Sequence, residues 1–396
     1  MINTLTLYAQ LLSFISQHSS YRDFRHIQTL CWMVTALIGS GKLSLPAWES
    51  YVHSRAKQAQ SYEKRWYRFL KNKSIRIRQI YLPLMLIALS DWQNKRVYLA
   101  LDTTMLWNKY CMITLSVVSC GRAVPFLWSV LEHKSASVSF AKYKFILKQA
   151  QHVLREFDDV MLLADRGFAN YDLLSWLQST SWHYAIRLPS DTELHGPRKA
   201  PTAVGKIWPS VNEAILYHNV GLWKDVKIRC NLVMARPRGV KEPWAVVTDE
   251  NPTLQTLWHY ALRFRVEELF LDSKSGAFEL ESSRIRSAKE LERLYLIAAI
   301  GLIYSTCQGM AVEVSGLRKQ VDPHWDRGIS YLKIGLRWLR GVVSKGRELM
   351  TPIPLLSSDP SACFASAKAE RKYYNQRAFT RVDVFYCYSH SVISSG

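Results

Sequence analysis

Across residues 1–92 apolar side chains recur every three or four positions, in "YAQLLSFISQH", "IQTLCWMVTALIGSG" and "YEKRWYRFLKN", a spacing that lays one apolar stripe along a helix. This stretch is predicted to be helical throughout. From Val97 the period changes: "VYLALDTT", "YCMITLSVVSCG" and "AVPFLWSVLE" are short apolar runs parted by a few polar or glycine residues, which predicts three antiparallel strands. "SFAKYKFILKQAQHVLREF" returns to helical spacing with Ser139 placed to cap it. "VMLLADRGF" reads as a buried parallel strand, "NYDLLSWLQST" as a second helix and "WHYAIRLP" as a further strand.

Three strands, helix, strand, helix, strand is the element order of a ribonuclease H-like α/β core, here over residues 93–189. The pattern then breaks. Residues 190–242 carry Pro, Gly and Trp between alternating runs such as "VKIRCNLVMARPRG", which predicts an inserted β-rich subdomain. The core resumes over 243–310 with a strand in "WAVVTDENP", one long helix in "TLQTLWHYALRFRVEELFLDSKSG" and a mostly apolar, buried helix in "AKELERLYLIAAIGLIYST". Residues 311–396 form a helical C-terminal region ending in a basic tail of weak periodicity.

Composition adds a partner. Lys and Arg number 52 against 32 Asp and Glu, a formal charge of +20, which points to a polyanion, nucleic acid first. Seven scattered cysteines without a CxxC pair argue for reduced thiols and against a zinc site. The N-terminus lacks a signal-peptide pattern, and the longest apolar runs fall short of a bilayer span of about 20 residues, so a cytoplasmic protein with no membrane partner is expected.

The candidate chemistry is acidic. Asp102 ends the run "VYLALD" and Asp165 ends "VMLLAD"; in the predicted strand order the first and fourth strands are neighbours, so both carboxylates project at the carboxyl edge of the sheet, where open α/β sheets bind ligands. On the long helix Arg263, Glu267 and Lys274 lie on the face of Tyr260. Glu267 would bring a third carboxylate to the pair, a cluster that needs cations to stay ionised. Hard oxygen ligands favour Mg2+, with Mn2+ able to substitute, and two such ions suit displacement at phosphorus. No GxxxxGK[ST] loop is present, so the phosphate belongs to a nucleic-acid backbone. Asp158, Asp159, Glu268 and Asp272 are set aside as neighbours without this geometry. The bland alternative is a surface ladder in which Arg263 and Glu267 make an i,i+4 pair.

"LALDTTM", "LLADRGF" and "YALRFRVEELFLDSK" resemble the acidic motifs of bacterial insertion-sequence DDE transposases, the last matching the family's Tyr-Arg-Glu-Lys signature without a gap. The resemblance implies Asp102, Asp165 and Glu267 as catalytic metal ligands and Tyr260, Arg263 and Lys274 as contacts to phosphates near the cleaved end. It implies that Trp244 stacks on a base flipped from the DNA end, against the alternative of a core tryptophan at a strand start. Arg65, Arg68 and Lys71 match a segment that contacts transposon-end DNA, with 1–92 as the DNA-binding region. The implied activity is hairpin-type cut-and-paste transposition by a homodimer holding terminal inverted repeats and target DNA, nucleoid-associated when bound. The rivals are a nuclease that cuts without joining and an inactive DNA-binding regulator.

Overall fold

The computed structural model describes residues 4–53, 58–226, 228–238, 242–273, 277–325, 327–357 and 379–387. Four helices open the chain. α1 (Leu5–His18) buries Leu7, Leu11 and Ile15, one per turn; α2 (Phe24–Ser40) starts at Asp23, whose carboxylate accepts from the Arg25 amide, and stops at Gly41, whose φ of 73° a side chain would resist. α3 (Ala59–Lys71) buries Trp66, Phe69 and Leu70 and leaves Arg68 and Lys71 exposed. α4 (Ile77–Ala88) accommodates Pro83.

β1 (Val97–Leu106), β2 (Tyr110–Ser119) and β3 (Arg122–Glu132) form the antiparallel meander, followed by α5 (Phe140–Val153), β4 (Val160–Ala164), α6 (Tyr171–Gln178) and β5 (His183–Arg187). Ser139 does precede α5, but its hydroxyl makes no capping bond. β6 (Glu193–His195), β7 (Thr202–Ala203), β8 (Glu213–Leu222) and β9 (Ile228–Ala235) come from the inserted stretch, and β10 (Trp244–Thr248) returns to the core. Then follow α7 (Leu254–Ala261), α8 (Arg265–Leu271), α9 (Ala288–Val314), α10 (Tyr331–Lys345) and β11 (Arg381–Tyr386).

One mixed sheet takes in all these strands, in the order β3-β2-β1-β4-β5-β10-β9-β8-β6-β7 with β11 beside β8. The inserted strands therefore make no sheet of their own. β10 pairs antiparallel with both β5 and β9, and through it β9, β8, β6 and β7 prolong the central sheet, because an isolated hairpin face would leave Leu216, Val233 and Ala235 without a core to enter.

α7 and α8 also depart from the single helix predicted. Between them Leu262–Phe264 tighten into a 3₁₀ turn, although backbone angles stay right-handed across the junction. Such a turn inside a helix changes the angular spacing of the side chains around it.

α9 is the molecular axis: every residue from Leu294 to Val312 is buried, against α2, α3, α4, α10 and β3. By length and composition α9 would cross a bilayer, which corrects the reading that no apolar stretch is long enough; here its apolar window lies wholly inside the protein. α9 and α10 cross so closely that a Cβ on Gly309 would sit 1.9 Å from the Tyr331 carbonyl oxygen, and one on Gly335 1.7 Å from that of Ser305.

Candidate active site

β1 and β4 run parallel in register, Val97 beside Val160 through Leu101 beside Ala164. The next residues are Asp102 and Asp165. β4 ends there, whereas β1 continues to Leu106 on β2, so Asp102 lies inside its strand, not at its end, at the point where β1 outruns its parallel partner.

Asp102 is largely buried. Its Oδ1 accepts from the Thr103 amide at 2.7 Å and its Oδ2 from Arg263 Nη1 at 3.0 Å. Burial pushes its carboxyl up to about 6; Arg263 and the Thr103 amide oppose that, and Asp165 and Glu267 add to it by like-charge repulsion. Asp165 immediately precedes a short 3₁₀ turn, Arg166–Phe168, and its Oδ1 accepts from the Tyr260 hydroxyl at 3.3 Å.

The other groups arrive on α7, α8 and the 3₁₀ turn between them. Thr253 opens α7 with a capping box shared with Thr256, which fixes where the helix starts and so where Tyr260 falls. Tyr260 is fully buried and burial pushes its hydroxyl up to about 12. Arg263, in the tightened turn, is 4% exposed: Nη1 donates to Asp102 and Nη2 to Glu267 Oε1, each at 3.0 Å. Burial works against its charge, but Tyr260, Asp102, Asp165 and Glu267 outweigh it and its pKa is raised. Its guanidinium also lies over the Phe264 ring, 4.4 Å from the centroid. Its Nε is buried and has no acceptor among the described residues. Tyr260 and Arg263 thus meet the two strand carboxylates, with Arg263 between Asp102 and Glu267.

The three carboxylates do not stand as a ready cage: among the described residues no group of three His, Cys, Asp or Glu is placed to hold a metal ion. Glu267 is 57% exposed and turned to Arg263. The donor chemistry nevertheless fits a divalent cation, since Asp102 and Asp165 are hard oxygen ligands on adjacent strands and Glu267 can join them once Arg263 releases it. Lys274 lies outside the described residues.

The remaining predicted positions divide. Trp244, at 9% exposed, packs in a small core with Tyr260 and Phe264, ring centroids 5.3 and 5.7 Å away, so the structure seats it as a core residue immediately behind the site. Arg65 is half-buried, donating to Thr29 Oγ1, while Arg68 and Lys71 line an open hollow with Lys64 and Tyr67. Glu268 pairs with Arg122, and Asp159 with Arg96.

Arg166 and Arg187 were missed. Arg166 follows Asp165 directly and Arg187 is the last residue of β5; both pair with Glu242, at 3.4 and 2.6 Å. The signal was present in "ADR" and "AIR", a cation where an adjacent strand stops.

Residues 116–303, just under half of the chain, match a family model described as "Transposase DDE domain", which supports a DDE transposase; the match includes Asp165 and Glu267 and begins after Asp102. No curated protein matches the sequence. Among solved structures the chain is similar to one described as a "Cryo-EM structure of piggyBac transposase synaptic complex with hairpin DNA", with a TM-score of 0.35 and 10% identity over 93% of this chain and 88% of that one. A likeness at that level is too weak to bear on fold or function.

Proposed function

We propose that the chain is a DNA transposase of the Tyr-Arg-Glu-Lys type from a bacterial insertion sequence, built on a ribonuclease H-like core, which cuts the element ends and joins them to target DNA. One observation carries this reading: Asp102 and Asp165 directly follow the last paired rung of the parallel strands β1 and β4, and the α7–α8 segment sets Tyr260 on Asp165 and Arg263 between Asp102 and Glu267. A plain surface ladder would not have its arginine 4% exposed and bonded to a strand carboxylate.

The reaction is displacement at phosphorus. Two kinds of step alternate, hydrolysis and transesterification. Water attacks the scissile phosphate, its oxygen bonding to phosphorus as the 3′ oxygen leaves and takes up a proton. The freed 3′ hydroxyl attacks the opposite strand, losing its proton and displacing the 3′ oxygen of the flanking DNA to close a hairpin. A second water reopens the hairpin and frees the 3′ hydroxyl again, which then attacks a target phosphodiester and displaces a target 3′ oxygen. When bound at Asp102, Asp165 and Glu267, two magnesium ions, or manganese, supply the polarisation that both steps need. The chain's own part is positional. Were cations held at Asp102, Asp165 and Glu267, Arg263 would be free of the two carboxylates it now bonds, and its guanidinium could hold a phosphate bidentately. Tyr260, held against Asp165, fixes that carboxylate's orientation. Arg166 and Arg187 present two more cations on the Asp165 side if DNA displaces Glu242.

Full-length protein with labelled element ends tests this. Asp102→Ala, Asp165→Ala and Glu267→Ala should each reduce magnesium-dependent cleavage to background while gel shifts persist. Near-wild-type cleavage by any of them would remove that residue from the site. Cleaved ends that never join target DNA would favour a simple nuclease.

A further inference from the structure

Between the start of α4, the outer edge of β3 and the start of α9 the surface opens into a cleft of about 470 Å³, two strands from β1. Lys73, Arg76, Arg78, Lys289 and Arg293 line it against one carboxylate, Glu292. That carboxylate is engaged: Oε1 accepts from Ser129 Oγ and the Val130 amide, and Oε2 from Lys289 Nζ. The cleft continues a strip of the sequence from Lys64 to Arg78 that contains no acidic residue. At its mouth Phe145 is 40% exposed, with the Arg78 guanidinium 5.4 Å from the ring centroid.

A cationic rim beside an exposed aromatic face is the chemistry that holds an unpaired nucleotide, charge for the phosphate and a π surface for the base. The volume falls in the range of small-ligand sites, about 300 to 1,000 Å³. We propose that this cleft is a second nucleic-acid subsite, apart from the carboxylates, which takes an unpaired nucleotide of a DNA strand with its phosphate on Arg76, Arg78 and Lys289 and its base on Phe145. The inference rests on the reading of the chain as a DNA-processing enzyme and adds where an open strand is held.

The test uses fluorescence anisotropy with the full chain, a blunt duplex, and the same duplex carrying a short single-stranded tail. The triple variant Arg76→Ala, Arg78→Ala, Lys289→Ala should bind tailed DNA roughly tenfold more weakly, with its salt slope shallower by about 0.7 for each single-strand phosphate that is no longer neutralised. Phe145→Ala should lose roughly tenfold on tailed DNA and nothing on blunt duplex. All four side chains are exposed, so melting curves should match wild type. Unchanged affinity for tailed DNA in both variants overturns the proposal, as does displacement of the tail from wild type by free deoxyadenosine monophosphate at comparable concentration, which would make the cleft a mononucleotide site. Wild type that binds neither DNA would bring down the transposase reading with it; wild type that binds normally beside unaffected variants would bring down the cleft alone.

Discussion

Arg263 offsets the repulsion that Asp102 and Glu267 would otherwise feel, and the titration of Asp102 reports how well it does so. With its carboxyl near 6, the folded protein holds that proton more tightly than the unfolded chain does. Its stabilising contribution is therefore complete below the unfolded value, about 3.9, and is lost as pH rises through about 6. In chelator, Asp102→Asn should gain on wild type by on the order of 2 kcal/mol between pH 4 and pH 7, read from denaturant melts. Carboxyl NMR of the metal-free protein should place Asp102 near 6 and move it higher in Arg263→Gln, since the guanidinium holds it down; an unmoved titration would show that Arg263 is not its counter-charge. Both strand carboxylates were legible in the sequence because a charge closing an apolar run is conspicuous. That Arg263 would be bonded to Asp102 was not, since helical spacing puts residues on a face without saying which strand atom that face meets.

Among elements, the parallel pairing of β1 with β4 followed from the order of strands and helices, because a strand–helix–strand crossover returns parallel. The tightened turn at Leu262–Phe264 did not, since its residues are ordinary helix formers and only the docking of Arg263 into the sheet edge distinguishes them. The path of β6 to β9 was hidden for another reason: alternation identifies a strand but not the sheet it joins. The crossing of α9 and α10 was equally silent in the sequence, where nothing sets Gly309 and Gly335 apart from other glycines. They are contact points. Gly309→Ala or Gly335→Ala should cost about 3 kcal/mol or more despite the better helix propensity of alanine, because carbonyl oxygens of the partner helix occupy the space. Chemical denaturation would show it, and a gain in stability from either change would mean the helices can move apart.

At the scale of the molecule, the net charge of +20 makes the proposed association with DNA largely a matter of counterion release. The logarithm of the binding constant should fall by about 0.9 per neutralised phosphate for each unit of log salt concentration, with several phosphates involved. A flat salt profile would defeat the nucleic-acid reading altogether. The burial of α9 has a bearing on how the protein comes into being. α2, α3 and α4 leave the ribosome long before α9, the helix they pack against, has been made. A nascent chain must therefore carry exposed apolar helices through the synthesis of β1 to β10, a natural client for chaperones. A chain cut short before α9 should aggregate and be degraded, so that only finished copies survive.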